Sequence, residues 1–337
     1  MLADGVLAAV GRTPLIRLRR VVPGLRFRLY AKLEGLNPGG SAKDRAARAM
    51  IEQAREAGEI DDDTVVIEST SGNTGIGLAQ ACRSLGLRFI AVVDPMASRQ
   101  NLSILRAFGA EVDLIEEPDQ TTGEYIHARR ARVETWCRRF PNHYFTDQHA
   151  NPSNARAHRQ STMPEILADL DGALDYLFCG VSTCGTLRGC AEHLRQRGLD
   201  TRVIAVDAVG SMIFGRRKHP RLIPGLGAGE RPELCPPRLV DRVVQVSDRD
   251  CVVGCRRLAA REALLVGGSS GGVLSALERL KDRIPRGATC ALIFPDRGER
   301  YLDTIFDDDW VREHLGDVAH LWRDGDHAPA AEPVLVS

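Results

Sequence analysis

The strongest constraint this chain places on its own fold is a regular alternation of short apolar extended runs with helical patterns, punctuated by glycine-containing turns. Thr64 to Glu68 reads as a strand, and an apolar-rich helix follows from Thr74 to Leu85, stopping at Gly86. A strand over 88–93, a helix ending at Gly109, a strand over 111–115 and a long charged helix over 122–139 continue the pattern. It resumes with strand 175–179, helix 185–197 and strand 202–206. Strand 243–246, helices 248–265 and 272–280, and strand 289–294 complete it. Such alternation predicts an α/β protein with parallel sheets covered by helices on both faces. Ligands of these folds bind beyond the carboxyl ends of the strands, in the loops that enter the helices. Those loops are where the Gly/Ser/Thr clusters of this chain fall.

At 337 residues the chain is long enough for about two domains. Lys+Arg and Asp+Glu are both 45, so there is no basic excess of the kind that nucleic-acid or membrane-surface partners require. No run approaches the ~18 consecutive apolar residues of a membrane span. The opening Met1-Leu2-Ala3-Asp4-Gly5 lacks the basic and apolar regions of a secretory signal, so a cytoplasmic protein is expected. The nine cysteines are scattered through apolar segments, which suits reduced core residues. No cysteine, histidine or carboxylate spacing suggests a metal. The tail over 323–337 is turn-rich and reads as disordered.

The segment Asn37-Pro38-Gly39-Gly40-Ser41-Ala42-Lys43-Asp44-Arg45 carries the first candidate chemistry. Ser41 is placed as an N-cap, after which Ala46, Ala47, Met50, Ile51 and Ala54 form one apolar helix face. Lys43 then stands in the first helical turn, where a cation opposes the helix dipole and stability alone disfavours it. Positive surroundings and burial lower an amine pKa, as a Schiff-base lysine requires. An isolated lysine is ordinarily a solvated surface residue, so the reading depends on the motifs around it.

Three strand-to-helix turns suit anions: Glu68 to Ile76, Cys179 to Thr186, and Val266 to Gly272. Backbone N–H groups and hydroxyls at a helix N-terminus can hold a carboxylate or a phosphate. Helix capping also selects Ser, Thr and Asn, so one such turn alone says little. Three in one α/β chain exceed what capping requires.

In order along the chain, Ser41 to Arg45, Thr70-Ser71-Gly72-Asn73-Thr74-Gly75, the loop 182–186, Pro224 to Gly229 and Gly268-Ser269-Ser270-Gly271 resemble the cysteine synthase and cystathionine β-synthase family of pyridoxal 5'-phosphate (PLP) enzymes. The likeness extends from Thr13 to about Asp303. It implies a fold-type II, tryptophan synthase β-like architecture of two doubly wound sheet domains with the cofactor between them. The smaller domain would comprise 1–12 and 36–150, and the larger, PLP-binding domain 13–35 and 151–322. The resemblance implies that Lys43 carries the cofactor as a Schiff base and that Asn73 bonds the ring hydroxyl oxygen. Ser182, Thr183, Cys184, Gly185 and Thr186 would cradle the cofactor phosphate, and Ser269 would face the pyridine nitrogen. Thr70, Ser71, Thr74 and Gln148 match positions that hold the substrate α-carboxylate. A homodimer is what the family suggests.

Residues 180–183, 205–215, 254–258 and 295–303 are not general to cysteine synthases. They resemble a branch that joins O-phospho-L-serine to L-glutamate through an α-aminoacrylate, releasing phosphate, toward 2,3-diaminopropionate for siderophores or peptide antibiotics. The additional negative charge of those substrates requires further cations. Arg129 and Ser182 are the first candidates, followed by His149, Arg216, Arg217 and Arg231. Cysteine synthases usually carry glycine where Ser182 and Cys184 stand. Ser182 therefore reads either as a donor that selects phosphate over acetate or as a tolerated loop variation, and Cys184 as a small loop residue. A serine usually occupies the position of Asp296, which reads either as a carboxylate approaching the pyridine nitrogen, weakening the neutral-ring argument, or as a surface turn at a strand's end. A serine at the pyridine nitrogen cannot hold the ring protonated, which favours β-replacement over transamination. The alternative activity is a cysteine synthase using sulfide. A dinucleotide-binding reading of Gly225-Leu226-Gly227-Ala228-Gly229 lacks a preceding strand and the third glycine.

Overall fold

Ten strands sort into two sheets in the computed structural model, which describes residues 2–323. They are β1 (Leu15–Arg17), β2 (Arg28–Leu33), β3 (Val65–Ser69), β4 (Arg88–Val93), β5 (Glu111–Leu114), β6 (His143–Phe145), β7 (Tyr176–Gly180), β8 (Arg202–Ala208), β9 (Arg242–Val246) and β10 (Thr289–Phe294). The larger sheet has the order β1-β2-β10-β7-β8-β9 and the smaller β5-β4-β3-β6. Only the β1–β2 pair is antiparallel, so helices must cross over both faces. Both sheets are parallel-rich, as the alternation predicts.

Strands covered on both faces are apolar throughout, and adjacent side chains enter different cores. Along β10, Cys290, Leu292 and Phe294 join one core of the large sheet, while Ala291 and Ile293 join the other. In β3, Val66 packs on one face of the small sheet and Val65 and Ile67 on the opposite face. The chain enters the large sheet through β1 and β2, builds the small sheet through β3 to β6, and then returns. The Lys43 segment therefore lies where the chain passes between the sheets.

Several boundaries differ from the sequence reading. The Lys43–Glu56 helix is preceded by Ala42 as N-cap, without a side-chain cap bond. Ser41 instead bridges to Asp296, and its Oγ accepts from Lys43 N–H at 3.2 Å. The long charged helix begins at Tyr125, because Asp119 ties Thr121 and Thr122 into a turn. The Asp248–Glu262 helix stops three residues earlier than expected, with Ala263 in the left-handed region. The last major helix starts at Gly268, so the Gly-Ser-Ser-Gly motif forms its first turn rather than a loop before it. Of the 323–337 tail, Arg323 closes the His320–Arg323 helix, and the remainder lies outside the described residues.

A buried charge network ties the Lys43–Glu56 helix to the large sheet. Arg45 Nε donates to Glu34 Oε2 at 2.6 Å, and its Nη1 and Nη2 donate to Glu165 Oε1 and Oε2 at 2.6 and 2.7 Å. Lys32 Nζ lies 2.7 Å from Glu165 Oε2 and donates to Thr13 O at 2.5 Å. Of these four residues only Arg45 fell within a motif quoted from the sequence; Lys32, Glu34 and Glu165 carry no such signal.

Candidate active site

Lys43 opens its helix and lines a cavity of about 200 Å³ between the two sheets. Thr70 to Thr74 reach the cavity from the end of β3, Ser182 and Thr183 from the end of β7, and Asp296 from the end of β10. Gln148, Arg129, Gly225 and Ser269 complete its wall. The carboxyl ends of three strands thus deliver the side chains, as an open parallel sheet requires. The part of Lys43 left uncovered faces this cavity. Burial is the main influence on the amine and holds its pKa below the ordinary lysine range, with Asp296 acting in the opposite direction. Nζ makes no hydrogen bond or ion pair to another described residue. A side-chain amine kept desolvated and uncommitted is what a Schiff-base lysine needs.

Thr70 Oγ1 accepts from Gly75 N–H at 3.1 Å, which holds the β3-to-helix turn closed. Thr74 Oγ1 donates to Gln148 Oε1 at 2.5 Å, so these two candidate carboxylate-binding residues form one unit. Gln148 is placed by Glu68, whose Oε2 accepts from Gln148 N–H at 3.1 Å and whose Oε1 accepts from Ser69 N–H at 2.9 Å. Burial pushes the Glu68 carboxyl up to about 7, against the donors from Thr146, Gln148 and Ser69. Asn101 Nδ2 donates to Ser71 O at 3.1 Å.

The 182–186 loop ends at the N-terminus of the Gly185–Gln196 helix, where free N–H groups and the dipole favour an anion. Thr183 Oγ1 accepts from Asn154 Nδ2 at 3.2 Å, and Thr186 Oγ1 lies 3.1 Å from His158 Nε2. Burial holds the His158 pKa well below its ordinary value, so the ring is neutral. It sits in a π-helical turn, His158–Thr162, that interrupts the helices behind the loop. A Cβ on Gly185 would run into the Asn154 side chain, so only glycine fits there. Cys184 adopts φ +67, the left-handed conformation that glycine takes without cost. Contact with Cys235 and burial push its thiol pKa up.

Of the two readings of Asp296, the structure removes the surface turn and leaves the carboxylate in the cavity wall. The residue is 4% exposed, with Oδ2 accepting from Asn73 Nδ2 at 2.8 Å and from Tyr301 OH at 2.5 Å. Its Oδ1 is buried without a partner. The strand end carries it inward because Ser41 pairs with it across an isolated bridge.

Arg129 lines this cavity and also a second one of about 860 Å³, together with Ser69 and His149. Its Nη1 lies 3.2 Å from Asp94 Oδ2, while its Nε is buried and unpartnered. Burial lowers the His149 pKa, which keeps that ring neutral. Arg130 and Arg231 line the larger cavity, whereas Arg216 and Arg217 are exposed and line neither. Asn154, His158 and Glu68, which support the predicted residues from behind, were missed. As single polar residues inside helical or strand patterns, they carry no spacing signal. Among the described residues no cluster suited to a metal occurs, and no helix is long and apolar enough to cross a membrane.

These residues fit a pyridoxal phosphate: an uncommitted desolvated amine, a hydroxyl-rich helix N-terminus for its phosphate, and an orphaned carboxylate oxygen in the same cavity. Residues 6–296 match the family model described as "Pyridoxal-phosphate dependent enzyme". The chain is 43% identical to the N-(2-amino-2-carboxyethyl)-L-glutamate synthase of Ralstonia nicotianae, over 99% of this chain and 100% of that protein. It is likewise 43% identical to the enzyme of that name from Cupriavidus metallidurans, over 92% of each. The crystal structure of an O-acetylserine dependent cystathionine beta-synthase from Helicobacter pylori superposes with a TM-score of 0.84 at 33% identity, covering 90% of this chain and 98% of that one.

Proposed function

Because the chain belongs to the pyridoxal-phosphate dependent enzyme family and is a β-replacement transferase of that family, we propose that it joins O-phospho-L-serine to L-glutamate. The product is N-(2-amino-2-carboxyethyl)-L-glutamate, with phosphate released. The observation that carries this reading is the position of Arg129, which lines both the 200 Å³ cavity of Lys43 and the adjoining 860 Å³ cavity. A planar, permanently charged fork suits the phosphate of the first substrate. The larger cavity has room for an amino-acid acceptor, and its wall mixes arginines (Arg129, Arg130, Arg138, Arg231) with carboxylates, one of which, Glu230, pairs with Arg130 at 2.8 Å. Sulfide, the acceptor of a cysteine synthase, needs no such room. The likeness to two synthases of this activity supports the same choice.

Bound pyridoxal phosphate supplies the electron sink that lets the Cα proton and the β-substituent leave. The remaining work falls to this chain. Lys43 Nζ, kept neutral by desolvation, accepts the Cα proton and later returns it. Thr70, Ser71, Thr74 and Gln148 hold the α-carboxylate at the turn after β3 and so orient the Cα–H bond toward Nζ. The Ser182 to Thr186 loop would hold the cofactor phosphate, Asn73 would meet the ring hydroxyl oxygen, and Ser269 in the first turn of its helix would face the ring nitrogen. Ser182 and Arg129 receive the departing phosphate.

The nine cysteines are all unpaired, which supports a reducing, cytoplasmic setting. A homodimer and a place in 2,3-diaminopropionate supply for siderophores or antibiotics belong to the same reading. The decisive experiment incubates the enzyme with O-phospho-L-serine and either L-glutamate or sulfide and weighs the products. Formation of the glutamate adduct is expected. Cysteine from sulfide, with no adduct from glutamate, would establish the sulfhydrylase instead.

A further inference from the structure

Asp296 and Arg300 approach one carboxamide from opposite ends. Asn73 Nδ2 donates to Asp296 Oδ2 at 2.8 Å, and Arg300 Nη1 donates to Asn73 Oδ1. The two ends of a carboxamide have nearly the same shape, so its neighbours decide which end is oxygen and which is nitrogen. A guanidinium can only donate, which settles the oxygen end. Burial raises the pKa of the Asp296 carboxyl, but protonation does not reverse the nitrogen end. Oδ2 already accepts from both Asn73 and Tyr301, so a proton on this carboxyl belongs on the unpartnered Oδ1. Oδ2 is an acceptor in either state. One N–H of Asn73 remains uncommitted, beside Lys43 in the cavity wall.

We propose that Asp296 is a positioning residue that, with Arg300, locks the Asn73 carboxamide so that its remaining N–H faces the ring hydroxyl oxygen of bound pyridoxal phosphate. The inference rests on the reading above that Asn73 meets that oxygen. A donated N–H stabilises the oxygen in its ionised form, whereas a reversed amide would set a carbonyl lone pair against it. A serine at position 296 could donate as well as accept, whereas Asp296 Oδ2 only accepts and so adds a second constraint to the one that Arg300 sets. Its role is exerted through Asn73 and needs no contact with the cofactor.

The test compares binding of pyridoxal phosphate and of 3-deoxypyridoxal phosphate, which lacks the ring hydroxyl, to apoenzyme prepared by resolving the holoenzyme. Asp296→Ala is expected to bind pyridoxal phosphate about tenfold more weakly than the parent and the deoxy analogue equally well, the scale of one charge-assisted hydrogen bond. Asp296→Asn, which keeps an acceptor oxygen without the charge, should stay within about twofold of the parent for both. The holoenzyme of Asp296→Ala should also lose part of its absorbance near ~410 nm to a band near ~330 nm, as the ring oxygen gains a proton. Equal weakening toward both cofactors, no weakening toward either, or an Asp296→Asn that falls as far as the alanine variant overturns the proposal. If Asp296→Ala does not fold, Arg300→Met frees the oxygen end alone and should weaken only pyridoxal phosphate, by about threefold; its failure to discriminate overturns the proposal equally. Asn73→Ala, run beside them, separates the two levels: if it too fails to discriminate, Asn73 does not meet the ring oxygen and the underlying reading is wrong.

Discussion

Arg45 grips Glu165 through two parallel hydrogen bonds, Nη1 to Oε1 at 2.6 Å and Nη2 to Oε2 at 2.7 Å, two residues after Lys43 in the same helix. The same guanidinium holds Glu34 through Nε and Nη2, at 2.6 and 2.8 Å. Glu34 is completely buried, so Arg45 is its only compensation besides the donors of Thr13 and Asn37.

Arg45→Met keeps the apolar stem but leaves the Glu34 charge in a dry interior. A buried pair broken from one side costs about 3–5 kcal/mol. Denaturant unfolding should register a loss on that scale. Because the helix also starts the cavity wall at Lys43, cofactor content should fall with it. A variant with undiminished stability would show that the network is not the anchor of this helix.

The pH dependence of stability has two arms of opposite sign. Burial pushes Glu165 up, but Arg45 and Lys32 outweigh it and bring its pKa from 4.5 down to about 2. This contribution is complete above about 4.5 and is lost as pH falls toward 2. Glu68 behaves in the opposite way: burial lifts it from 4.5 to about 7, so the folded state holds its proton more tightly and stability falls as pH rises through that window. Glu68→Gln removes the second arm. The difference in unfolding free energy between variant and parent should grow across this window by up to ~1.4 kcal/mol per pH unit and stay level above it. Measured unfolding curves at a series of pH values decide this, and a constant offset would place Glu68 ionised throughout.

The fold was legible because a covered parallel strand must be apolar throughout, and β3, β7, β8 and β10 each read as one such run. The three anion-suited turns were legible for a related reason, since Gly, Ser, Thr and Asn at a strand-to-helix junction serve few other purposes. Support from behind was not legible. Asn154, His158 and Glu68 act through contacts 29, 28 and 80 positions distant in the chain, and nothing local marks them. The two readings of Asp296 stayed open for the same reason: its inward turn depends on pairing with Ser41, more than two hundred residues earlier.

Lys43→Ala should purify without the absorbance near ~410 nm that a lysine-bound pyridoxal phosphate gives. Activity should fall below detection, while far-ultraviolet circular dichroism stays that of the parent, because Lys43 Nζ makes no hydrogen bond or ion pair to another described residue. Borohydride reduction of the parent followed by peptide mapping should place the adduct on Lys43. Retention of the band in Lys43→Ala would move the attachment to another amine.

In the proposed reaction Arg129 and Ser182 distinguish a phosphate leaving group from acetate. Arg129→Lys keeps the charge and its proximity to Asp94 Oδ2 but loses the planar fork. Its KM for O-phospho-L-serine should rise about tenfold with kcat changed less, the pattern of lost uniform binding, while turnover of O-acetyl-L-serine is little altered. Ser182→Gly removes one hydroxyl from the cavity wall without disturbing a capping bond, since the helix that follows has none from its side chains. Losing one donor to a charged oxygen costs about 1.5–3 kcal/mol, so the preference for phosphoserine over acetylserine, measured as a ratio of kcat/KM values, should shrink by tenfold or more. The two substitutions act on the same leaving group, and their effects on that ratio should therefore fall short of additive in the double variant. Strict additivity would mean that Arg129 and Ser182 hold different parts of the substrate, with the arginine then serving the acceptor's carboxylates in the larger cavity.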